Sequence, residues 1–98
     1  MHATLRRLKC QPGKAGEVAD LIRAEYVPQL AAVDGVISYT LVDLGGDEVT
    51  SLGVFSSAEG AVRANELARA WWGENPKVAL AASPLDASDG PILLHSSF

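Results

Sequence analysis

Hydrophobic and polar positions along the chain follow two rhythms. Residues Ala3 to Cys10, ATLRRLKC, suit a β-strand. Strand side chains alternate, so Leu5 and Leu8 fall on opposite faces, and so do Arg6 and Arg7. Apolar side chains on both faces indicate a strand covered on both sides. Pro12-Gly13 ends it. From Lys14 to Val33 the spacing changes to three and four: Ala15, Val18, Ile22, Tyr26 and Leu30 make one apolar stripe and predict a helix. Pro28 removes a donor inside that stripe and predicts a kink or an early break. In Asp34-Gly35 the glycine is read as the helix's C-terminal cap.

Period two returns in Val36 to Phe55, VISYTLVDLGGDEVTSLGVF. Val, Ile, Tyr, Thr, Leu and Phe fit a pleated surface. Gly45-Gly46 between two such runs signals a tight hairpin, because the favoured turns need positive φ. On the first arm simple alternation places Val36 and Val42 on one side, with Ile37, Tyr39 and Leu41 on the other. Ser56-Ser57-Ala58-Glu59 has the S-x-x-E form of a capping box with Ser56 as N-cap. A second helix follows to about Glu74. Ala61, Ala64, Ala68 and Trp72 gather on one face, with Glu59, Arg63 and Glu66 opposite and Asn65 inside the apolar stripe. Gly73 and Asn75-Pro76 stop it. Lys77 to Ala82 suits a short helical turn or two, Ser83 to Pro91 reads as a loop, and Ile92 to His95 as a short last strand.

The order β-α-β-β-α-β is the α+β, ferredoxin-like arrangement. It predicts an antiparallel sheet of order 4-1-3-2 in a single domain over residues 1–98, with both helices on one face. The other face is apolar too and needs a cover. A second copy of the chain supplies one, so a homodimer through the sheet faces is expected.

Composition narrows the function classes. A chain of 98 residues buries only about 60–65% of its unfolded surface, which favours such association. Net charge is −4 with no basic run, which disfavours nucleic acid as a partner. No apolar stretch approaches the roughly 20 residues that span a bilayer, and no apolar segment follows Arg6, Arg7 and Lys9 to make a signal peptide. With one cysteine, Cys10, read as a packing residue, a cytoplasmic setting is expected. There is no metal-ligand spacing and no glycine-rich phosphate loop, so neither metal nor cofactor is expected.

The strand-PGK-helix opening, VDGVISYTLV, DEVTSLGVFSSAEGA and Trp71-Trp72 late in helix two resemble the dimeric α+β barrel superfamily, within it the antibiotic biosynthesis monooxygenase-like domains. The resemblance covers nearly the whole chain. It implies a homodimer whose sheets face each other and a pocket in each subunit between sheet and helices. In the cofactor-independent oxygenases of this group, an Asn and a Trp one turn apart on helix two face a polyphenolic substrate. Asn65 corresponds to that Asn, while Arg69 stands one turn later and the tryptophans arrive at 71 and 72. The haem-degrading branch carries an iron-ligating histidine on helix two. This helix has none, and Arg6 replaces that branch's strand-one Asn, so haem is set aside.

Asn65 and Arg6 are therefore the candidate catalytic residues, with Trp72, Tyr39 and Trp71 as candidate substrate-binding residues. Each has a plain alternative. Asn65 can satisfy a backbone group, or donate to a ligand carbonyl or developing oxyanion. Arg6 can pair with an acidic residue or anchor an anionic or phenolate group. Trp72, Trp71 and Tyr39 can be core or ligand platform. His95, at the end of the expected last strand, is a conceivable general base. His2 is read as an exposed terminal residue. Two functions fit: a cofactor-independent, monooxygenase-like enzyme acting on a small aromatic or polyketide-like molecule, or a non-catalytic dimeric module that binds a hydrophobic ligand or a partner.

Overall fold

The computed structural model describes residues 1–98. Its strands are β1 (His2–Cys10), β2 (Val36–Gly45), β3 (Glu48–Phe55) and β4 (Ala82–Pro91). Its helices are α1 (Ala15–Leu21), α2 (Val27–Leu30), α3 (Ala58–Glu74) and α4 (Pro76–Ala81). The strands form one antiparallel sheet of order β2-β3-β1-β4, the ferredoxin-like order expected, with β1 inside. The helices cover one face. There Leu8, Cys10, Val49 and Phe55 of the sheet meet Val18, Ile22, Tyr26, Leu30, Ala61, Ala64 and Trp71. Burial pushes the Cys10 thiol up, which keeps it protonated and suits a packing role.

The first helix does not break at Pro28. Instead a π-helical turn, Ile22–Tyr26, links α1 to α2, and Pro28 is the second residue of α2. The stripe explains this. Val18, Ile22, Tyr26 and Leu30 recur every four residues, and in an α-helix such a row drifts by about 40° per step. A π-turn winds more residues into each turn and cancels that drift. All four side chains therefore reach the core. The helix ends at Leu30, before the expected Val33. Gly35 is a turn residue leading into β2 rather than the helix cap. Its φ is +82°, and a Cβ there would clash with the Ser56 hydroxyl.

Three further expectations are corrected. Ser57, not Ser56, is the N-cap of α3, and no side chain caps it. Ser56 is committed elsewhere, its backbone N–H donating to the Gly35 carbonyl at 2.7 Å. In β2 the register shifts between Val36 and Ser38. The extra residue reverses parity, so Val36 opposes Phe55 on the helix side while Val42 opposes Thr50 on the other. The last strand is Ala82–Pro91, the segment read as a loop, and Ile92 to His95 lies beyond it. Pro and Gly disfavour a strand, but β4 is an edge strand. Its only partner is β1, and a register shift between Arg7 and Leu8 admits Pro84.

Polar pairs fix β4 in place. Arg7, on the open sheet face, donates to Asp86 from Nε at 2.9 Å and Nη2 at 2.6 Å, and from Nη1 to Glu48 at 3.1 Å. His2 is half-buried in β1 and bonds Asp89 at 2.8 Å, so it is not a free terminal residue. The hydrogen bond and charge of Arg7 hold the Asp86 carboxyl below its usual range. A carboxyl depressed in the folded state stabilises above its ordinary pKa, and the contribution is lost as pH falls through the folded value. Arg7→Ala should raise the Asp86 midpoint toward that of an ordinary aspartate in a carbon-detected NMR titration; an unmoved midpoint would refute the pairing.

Candidate functional site

A cavity of about 540 Å³ lies between the sheet and the helices. Alternation in β1 turns Arg6 and Leu8 into it, while Arg7 points to the opposite face. Tyr39 of β2 and Ser51 of β3 form its floor, since Tyr39 opposes Gly53 and Leu41 opposes Ser51 on the helix side. The π-turn contributes Ile22 and Tyr26. The last turns of α3 contribute Asn65, Ala68, Trp71 and Trp72. Exposed Arg69, Gly73 and the β4 residues Pro84, Asp86, Ala87, Ser88 and Asp89 make the rim.

All five candidate residues, Arg6, Asn65, Tyr39, Trp71 and Trp72, line this one space. Arg6 Nη2 donates to Asn65 Oδ1 at 2.5 Å, joining β1 to α3 across the cavity. That bond decides the amide's orientation. Oδ1 is engaged, and Nδ2 has no partner within the protein. Arg6 makes no ion pair; the acidic neighbours on the rim, Asp86 and Asp89, are held by Arg7 and His2.

The aromatic wall differs from the expected one in emphasis. Trp71 is the buried tryptophan, 7% exposed, and Trp72 is half-buried beside it, edge-on at 6.0 Å between ring centroids. Trp71 packs on Tyr26 at 5.5 Å, and Tyr26 meets Tyr39 edge-on at 5.7 Å. The Tyr26 hydroxyl donates to the Ala64 carbonyl at 3.3 Å. Burial pushes both phenols up, a trend the nearby Arg6 guanidinium partly offsets at Tyr26. Both therefore act as neutral donors, not as bases.

Sequence reasoning missed Tyr26, Ser51 and the β4 rim. Tyr26 carries the one readable signal, a hydroxyl on an otherwise aliphatic stripe. Ser51 and β4 became visible only through strand pairing. His95 is placed elsewhere: it is exposed beyond β4 and bonds Ser97 Oγ at 3.2 Å, so it has no contact with the cavity. No group of three or more His, Cys, Asp or Glu side chains gathers to hold a metal. No helix is long and apolar enough to cross a membrane.

No protein-family model matches the chain, and no curated protein matches it in sequence. Solved structures do match. A protein of unknown function from Nitrosomonas europaea has TM-score 0.75 at 20% identity, covering 98% of this chain and 92% of that one. SnoaB, a cofactor-independent oxygenase from Streptomyces nogalater, has TM-score 0.73 at 11% identity, covering 96% and 94%. MhuD, solved with two manganese protoporphyrin IX molecules per active site, has TM-score 0.74 at 14% identity, covering 100% of each chain. A porphyrin does not suit the cavity described above. No histidine, cysteine or methionine lines it to ligate a metal, and its two phenols are held protonated. What the likenesses establish is architecture: the chain has a ferredoxin-like fold, which it shares with a dimeric ferredoxin-like protein from an uncultured marine organism and with proteins described as antibiotic biosynthesis monooxygenases.

Proposed function

We propose that this protein is a cofactor-independent, monooxygenase-like enzyme acting on a small aromatic or polyketide-like molecule held between sheet and helices. The observation that carries the reading is the convergence of Arg6, Asn65, Tyr39, Trp71 and Trp72 on one cavity. Apolar walls with a few placed donors are the usual form of a small-molecule site. The likeness in fold to a cofactor-independent oxygenase supports the reaction class.

Without a resident reductant, the substrate supplies the electrons. An activated ring methylene and dioxygen give a ring carbonyl and water, R–CH2–R′ + O2 → R–CO–R′ + H2O. The ring C–H proton passes to solvent as charge moves onto the neighbouring oxygen, and the C–H hydrogens are balanced by the water formed. The free Asn65 Nδ2–H group faces that oxygen and stabilises the charge. Arg6 holds the amide in the donating orientation. Trp72 and Trp71 stack on the ring, and Tyr39 donates to a peripheral oxygen.

The working unit is a homodimer. On the sheet face opposite the helices, Leu5, Val42 and Leu52 are 45%, 44% and 39% exposed. They surround the Arg7–Asp86 pair and form a surface that a second copy covers. A stable interface of this kind buries more than about 1,200 Å² in total. Light scattering after gel filtration should give twice the 10.3 kDa chain mass; a folded monomer at micromolar concentration would sink the dimer.

Asn65→Ala should weaken ligand binding or turnover by about 1–3 kcal/mol, the range for a lost hydrogen-bond partner in a dry site, while the variant stays folded. A thermal melt beside a binding assay separates the roles. Lost stability with unchanged affinity would make Asn65 structural and defeat the assignment. Haemin titration should produce no stoichiometric Soret shift, and a tight one-to-one complex would overturn the cofactor-free reading.

A further inference from the structure

Arg6 is a half-buried cation that reaches no carboxylate. This is unusual in a chain where acidic residues outnumber basic ones, twelve to eight. Its side-chain partners are neutral oxygens, Asn65 Oδ1 in a direct bond and the Tyr26 hydroxyl close by, and several of its five N–H donors stay unassigned. A buried charge without a counter-ion is costly. The nearby acids do not relieve it, because Asp86 bonds Arg7 and Asp89 bonds His2. A second observation points the same way. Trp71 lines the same cavity, and its Nε1–H is the one buried side-chain polar group without a partner. The rim aspartates are already engaged, so the Arg6 guanidinium and the Trp71 N–H on the inner wall have no anionic acceptor bonded to them.

We propose that the ligand of this cavity is an aromatic acid, whose carboxylate is the counter-ion of Arg6 and is distinct from the oxygen facing Asn65. The proposal rests on the cavity being a ligand site. A guanidinium presents parallel N–H groups that match the two oxygens of a carboxylate, a fit that neither an amide nor a lysine reproduces. With Asn65 Oδ1 holding one Nη2–H, the fork is already oriented, so less freedom is lost on binding. Carboxylate recognition makes Arg6 the specificity-determining residue and leaves Asn65 for the reacting oxygen.

The test uses 2-naphthoate and its neutral near-isostere 2-naphthamide in isothermal titration calorimetry on the whole protein. The wild type should bind naphthoate at least tenfold more tightly than naphthamide. Arg6→Gln should erase that preference, and Arg6→Lys should retain only part of it. Arg69→Gln, which alters the exposed rim cation, should leave the preference in place. If naphthamide binds the wild type as well as naphthoate does, the acid proposal fails while the cavity reading stands. If neither probe binds at millimolar concentration, the cavity reading falls and the proposal with it. The wild-type comparison decides the matter even if Arg6→Gln does not fold. If Arg6→Gln folds and still prefers naphthoate, Arg6 is not the carboxylate partner.

Discussion

Helix α3 carries small residues at one end and tryptophans at the other, and the interior follows from that. At its start Gly60, Ala61 and Ala64 are buried, and the helix lies so close to the sheet that a Cβ on Gly60 would come within 3.3 Å of Phe55. At its end Ala68 gives way to Trp71 and Trp72, and the gap between helix and sheet opens into the cavity. The scale of that opening matters. At about 24 cal/mol per Å³, a dry void of this size would cost about 13 kcal/mol, comparable to the whole stability of a domain this small. Such a space persists because it opens to solvent along β4 and carries polar groups that water or a ligand can satisfy.

Other features keep the opening in shape. The π-turn brings Tyr26 into line with Ile22, so that the wall opposite α3 is rigid and aromatic. Asn75, just past α3, donates to Glu25 in that same turn and ties α3 to the first helical segment beside it. The Arg6–Asn65 bond spans the cavity from sheet to helix. These contacts hold the donors in place before any ligand arrives, which reduces the ordering cost of binding.

The architecture was legible because its signals are local. The hairpin turn (at Gly46-Asp47, both with positive φ, one residue past the expected Gly45-Gly46), the four-residue stripe and the Ser-rich start of α3 each lie within a few residues of the element they define. Asn65 was legible for the same reason, as a polar residue on an apolar helical face. What escaped notice depends on partners distant in sequence. β4 has a composition that argues for a loop, yet it becomes a strand because β1 offers an unpaired edge and Arg7 and His2 offer charges to Asp86 and Asp89. The parity of Val36 turned on a single bulge that no alternation pattern reveals. Helical spacing placed Trp72 with the alanine stripe, yet Trp71 is the tryptophan drawn inward, where it packs on Tyr26.

The composition that hid β4 also bears on how the protein resists fibre formation. The two rims of the sheet are β2 and β4. On β4, Pro84 and Pro91 remove backbone donors, and Asp86 and Asp89 would repel a like strand. On β2, register shifts near both ends interrupt the regular ladder that an incoming strand would need. Neither rim is a good template for adding strands end on end, a process without a natural stopping point. What remains sticky is the open sheet face, where Leu5, Val42 and Leu52 lie exposed beside the Arg7–Asp86 pair, and a contact through a face closes where a contact through an edge would propagate.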